Sequence, residues 1–91
     1  MTPEAAKELS LKGIGYLAGN HEELARFLSL SGLAPEDIRS QATQHAFQIA
    51  ILDFFLGHEP TLVAFAASVG IDPADIATAK RTLDPETPES W

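Results

Sequence analysis

Apolar side chains recur along this chain at intervals of three and four, interrupted by glycine, proline and short polar residues, and nowhere in sustained alternation of two. That pattern predicts amphipathic helices and no sheet. The first helix opens with Thr2 as cap and Pro3 at the first helical position, where a missing N–H costs nothing. Ala5, Ala6, Leu9, Gly13, Tyr16 and Leu17 then share one face, with Glu8 and Lys12 paired outside. Gly13 and Gly15 each weaken a helix by about 1 kcal/mol, so a neighbouring helix is expected to pass close to them. Gly19-Asn20 ends this helix and opens the next, where Asn20 and Glu23 have capping-box spacing and Glu22 precedes Arg26 by one turn. Leu24, Phe27 and Leu28 face inward, Gly32 supplies a left-handed stop, and Pro35-Glu36-Asp37-Ile38 starts a short third helix.

The second half repeats this order. Leu24, Phe27, Gly32, Pro35, Asp37 and Ile38 align without gaps on Leu62, Phe65, Gly70, Pro73, Asp75 and Ile76, an offset of 38 residues. Gly19 meets Gly57, and Tyr16 and Leu17 meet Phe54 and Phe55. The fourth helix, Gln44 to Leu56, is expected at the centre, polar only at Gln44, His45 and Gln48 and apolar all round from Ile49 onward. Helix five is expected from Pro60 to Val69, and helix six from Pro73 to Leu83 behind an Asp72-Pro73-Ala74-Asp75 cap. The architecture is therefore an all-α bundle of six short helices in one domain, residues 1–83, built from two similar three-helix units, 2–42 and 43–83. Residues 84–91, proline-broken, are expected to form a flexible acidic tail.

Composition narrows the chemistry. Thirteen acidic and six basic residues give a net charge of −7, a field that repels nucleic acid rather than steering it in. The chain has no cysteine, so disulfides, thiolate metal sites and a thiol nucleophile are excluded, and a reducing cytoplasm suits it. No apolar run approaches the ~20 residues of a membrane helix, and the N-terminus lacks the basic start of a signal peptide.

Few residues suggest a site. Asp53 falls among Ala46, Ile49 and Ala50, opposite Gln48, which predicts a buried carboxylate in need of a cation, with Arg39 the preferred partner and Arg26 the second. His21, His45 and His58 stand apart, without the paired spacing of a zinc helix, and no phosphate loop, dinucleotide fingerprint or nucleophile elbow is present. Neither catalysis nor a metal or other cofactor is expected. Leu62 to Ala79 resembles a helix-turn-helix, but its second helix begins with Asp72 and Asp75, where phosphates would have to sit. Trp91, the one tryptophan, either docks into a partner or folds back over an apolar patch of its own domain.

Tyr16-Leu17-Ala18-Gly19, Phe27-Leu28, Ser31-Gly32-Leu33, Ile38-Arg39, Leu52-Asp53-Phe54, Glu59 and Phe65-Ala66-Ala67, with Trp91 near the end, together resemble the domain-of-unknown-function 3572 family. The resemblance spans nearly the whole chain and implies a short helical protein of alphaproteobacteria, cytoplasmic and without an assigned activity. It marks Arg39, Asp53 and Glu59 as recurring features and transfers no functional residue. The expectation is a non-catalytic protein-interaction module binding a protein partner or itself. A DNA-associated regulator is the alternative, and a small-molecule role at Asp53 a third reading.

Overall fold

The computed structural model describes residues 1–85, and among them every regular element is a helix: α1 Pro3–Ala18, α2 His21–Ser31, α3 Asp37–Gln41, α4 His45–Leu56, α5 Glu59–Val69 and α6 Pro73–Leu83. Several of the helix ends have local reasons. Thr2 Oγ1 accepts from the Ala5 N–H at 3.1 Å with Pro3 behind it. Gly32 and Gly70 end α2 and α5 at φ of 75° and 73°, a conformation that favours glycine because it has no Cβ. At α6, Asp72 Oδ1 accepts from the Ala74 N–H at 2.9 Å and Asp75 Oδ2 from the Asp72 N–H at 3.3 Å, so the acids there cap their own helix.

Helices α1, α4 and α6 pack on one another as the central trio, and α5 closes one side against α1, α4 and α6. Their buried faces merge into one core that includes Leu17, Phe27, Ile51, Leu52, Phe55, Phe65 and Ile76. All five phenylalanines and Tyr16 form a continuous file of rings. Phe47 meets Phe27, Phe27 meets Phe54, Phe54 meets Phe55, and Phe55 stacks on Phe65 at 4.3 Å with Tyr16 against both of the last two. Such contacts add about 0.5–1.5 kcal/mol per pair beyond the apolar area they bury.

Several expectations are altered by the packing. The offset of 38 reappears in the ends of the helices, since Ala18 and Ser31 map onto Leu56 and Val69. The third helices nevertheless differ, five residues in α3 and eleven in α6. Nor does the core divide at residue 42, because α6 lies on α1 as well as on α4. Helix α4 is central but not enclosed: Ala46, Ala50 and Asp53 form an exposed stripe, while Gln48 is buried on the other side. Its amide Nε2 donates to the Ala42 carbonyl at 3.3 Å, and its Oε1 is buried with no protein partner among the described residues. Asn20 does not form the expected capping box, since its side-chain amide turns back to donate to the Tyr16 carbonyl at 2.7 Å.

The two glycines of α1 separate cleanly. A Cβ on Gly13 would stand 2.7 Å from Phe55 Cε2, and that ring is fully buried against Phe65, so it has nowhere to move. Around Gly15 nothing lies within 4 Å, so the expected close neighbour exists only at Gly13, and there it is a ring rather than a helix backbone. Gly13→Ala is therefore expected to destabilise by about 1–3 kcal/mol of overpacking, less the roughly 1 kcal/mol gained in helix propensity. Gly15→Ala is expected to stabilise by up to about 1 kcal/mol. Urea unfolding of both variants checks the opposite signs.

Candidate functional site

The polar groups that the fold brings together are on α2 and the start of α5. Thr61, 2% exposed, sits on the first turn of α5 and faces α2. Its hydroxyl donates to Glu23 Oε2 at 2.9 Å and receives Arg26 Nη2 at 3.0 Å. Arg26 also holds Glu23 Oε1 through Nη2 at 2.8 Å and Nε at 3.1 Å. His58 Nδ1 lies 2.7 Å from the same hydroxyl. A threonine hydroxyl has one proton, and here it is directed at the carboxylate, so the histidine contact is donated by Nδ1–H. Every hydrogen-bonding valence of Thr61 is thereby filled. The Arg26 guanidinium holds the Glu23 carboxyl below its ordinary value of 4.5, desolvation opposes the shift, and Thr61 and His58 add to it.

At the centre of this hub Thr61 is buried, while Glu23 and Arg26 are partly exposed and His58 is exposed. The hub has a mechanical consequence. It ties α2 to α5 and sets the Arg26 guanidinium 4.4 Å over the Phe54 ring, which in turn meets Phe27 edge-on at 5.3 Å.

Those two rings floor a cleft of about 270 Å³ between α2 and α4, with Leu30 and Ser31 on one wall and Ala50 and Asp53 on the other. The cleft exists because α2 and α4 meet through long aromatic side chains while α4 offers only the short Ala50 and Asp53 at its outer edge. Leu30 stands beside it 71% exposed. A second hollow, about 360 Å³ at the α1–α2 junction, is walled by Asn20, His21, Glu22 and Glu23 and has no comparable apolar floor.

Asp53 lies on the cleft rim, its side chain 50% exposed, and its Oδ1 pairs with Lys80 Nζ at 2.7 Å. The expected buried pair with Arg39 does not form. Arg39 is exposed on α3, and Arg26, the second choice, belongs to Glu23 rather than to Asp53 or Glu22. Asp53 is not buried because the alanines beside it, Ala46 and Ala50, face solvent rather than the core. A half-exposed pair of this kind contributes at most about 1 kcal/mol. Trp91 lies outside the described residues. Among the described residues no three histidine, aspartate or glutamate side chains converge as metal ligands. No single helix there is long and apolar enough to cross a membrane, and the one helix pair that is apolar enough together, α4 with α5, bends by 109°.

The fold and its cleft define a small all-helical domain with a polar hub centred on buried Thr61 and an open apolar surface notch. The chain belongs to the family described as "Protein of unknown function (DUF3572)", whose profile matches residues 3–86. No curated protein and no solved structure matches it.

Two measurements test the hub. Thr61→Val keeps the shape but strands Arg26, Glu23 and His58, and is expected to destabilise by about 1–3 kcal/mol in urea unfolding. Because the folded Glu23 carboxyl is depressed, its stabilisation is full above about pH 4.5 and is lost as pH falls through its lower folded value. Glu23→Gln should therefore be less stable than the parent at pH 7, and the gap should narrow as unfolding midpoints are followed down to pH 3.

Proposed function

We propose that this chain is a non-catalytic protein-interaction module of the bacterial cytoplasm, and that its contact face is the α2–α4 cleft. The supporting observation is the cleft itself: an apolar floor of Phe27 and Phe54, the latter with the Arg26 guanidinium packed on its ring, and Leu30 exposed beside it. Contact sites owe most of their affinity to a few apolar anchors seated in such pockets, surrounded by a polar rim. The occupant is a bulky apolar side chain, and with a net charge of −7 the module favours partners whose anchor has cationic neighbours.

Nothing in the geometry favours duplex DNA. Helix α6, which would have to read the groove, buries Ile76, Ala79 and Leu83 against the bundle and carries Asp72 and Asp75 at its leading end. A catalytic role at Asp53 has little support either, since the carboxylate is tied to Lys80 on the rim of an apolar notch.

Site-directed photocrosslinking in the producing cells tests the reading. With p-benzoylphenylalanine replacing Leu30, one discrete adduct is expected, absent when the same group replaces Val63, an equally apolar residue 48% exposed on α5. Equal labelling at both positions, or none at 30, overturns it.

A further inference from the structure

The notch and the residue beside it are shaped to fit each other. Leu30, 71% exposed, is the most exposed large apolar side chain among the described residues, and it stands on the wall of the notch floored by Phe27 and Phe54. A cavity of roughly 150 Å³ accepts a benzene ring, so about 270 Å³ admits a leucine side chain with space left over. Knob and hole thus lie side by side on one surface. A two-fold axis uses that arrangement, because the same patch on both partners lets each copy insert its knob into the other's hole. The remaining exposed large apolar residues, Met1, Leu11 and Val63, lie outside the lining of the notch.

Charge decides which occupant this face accepts. The chain carries −7, so two copies repel each other unless the surfaces that meet are neutral. Of the residues that line the notch only Asp53 is charged, and no residue from Phe27 to Pro35 is. Asp53 is paired with Lys80 at 2.7 Å. Arg26, packed on the Phe54 ring, is paired with Glu23 at 2.8 Å. Two basic residues therefore cancel the two acids at the notch and leave a neutral patch on an acidic molecule. Leu30 also has the basic neighbour expected of an anchor, since Arg26 lies one turn before it on α2.

We propose that the occupant of the α2–α4 cleft is a second copy of this chain, in a closed two-fold dimer where the Leu30 side chain of each protomer fills the other's notch. The inference rests on the cleft being the contact face and supplies its partner. Assembly stops at two, because both knobs and both notches are then used.

Sedimentation equilibrium of the full chain tests this without any other protein. The average mass is expected to rise with concentration from one chain toward two and to stop there. Leu30→Asp removes the knob and Ala50→Arg fills the notch, both at exposed positions. Each is expected to weaken association about tenfold or more, with far-UV circular dichroism unchanged. Mixing the two variants restores a dimer, because one notch takes the unaltered Leu30 while the introduced aspartate meets the introduced arginine at the other. Val63→Asp, on α5, is expected to associate as the parent does. A parent that stays monomeric at every concentration overturns the proposal. So do association that survives both cleft variants, growth beyond two copies, and a mixture that does not dimerise. A monomeric chain that still gives one Leu30 adduct in cells, at other than twice its own mass, removes the second copy and spares the cleft as contact face.

Discussion

The stacked pair of Phe55 and Phe65 is the contact on which the remaining structure depends. Their rings lie 4.3 Å apart and nearly parallel, both fully buried, and they join α4 to α5 at the point where α1 crosses. The crossing is close because α1 has no side chain at Gly13, so the Phe55 edge takes the space a Cβ would need. From this pair the aromatic file runs through Phe54 to Phe27 and Phe47, and so fixes α2 to α4. A domain of this size has little surplus stability. Rigid, shape-specific rings at the helix crossings give it one packing where aliphatic side chains alone would permit several.

The same file explains why the surface notch lies where it does. Ring-to-ring contacts hold α2 and α4 apart by the length of two side chains, and on the α4 side only the short Ala50 and Asp53 face the gap. An apolar floor is thus exposed as a by-product of how the core is spaced. The Arg26 hub then keeps that floor from collapsing, since the guanidinium is committed to Glu23 and Thr61 on one side and covers Phe54 on the other.

Much of the fold was legible in the chain. Six helices, their glycine stops at 32 and 70, and the Asp72 cap all follow from local signals that act within a few residues. The site was not, because its determinants are tertiary. Asp53 looked buried since alanine reads as core on a helical wheel, yet with α6 against one flank of α4 and α1 against another the alanine stripe is what remains for solvent. Gln48 looked solvated and is enclosed for the same reason. Lys80 could not be preferred over Arg39 as the partner of Asp53 without knowing that α6, rather than α3, lies beside α4. Glu23 was read as a cap for its own helix and instead reaches Thr61 across the bundle.

That last contact bears on the 38-residue repeat. Glu23 and Thr61 are separated by 38 positions, so residues equivalent under the repeat touch each other. The ring contacts behave alike: Tyr16 meets Phe65, and their counterparts Phe54 and Phe27 meet in turn. Contacts exchanged in this way are of the kind a two-fold relation produces, although α3 and α6 differ in length and the halves share one core. Two glutamates at 23 and 61 would place like charges in contact, an unfavourable arrangement. A glutamate facing a threonine removes the repulsion, and the threonine leaves acceptor capacity for both Arg26 and His58. The hub is therefore a place where identical acids at both repeat positions would repel each other. The asymmetry there lets one guanidinium bind both Glu23 and Thr61, and the same group lies over the Phe54 ring.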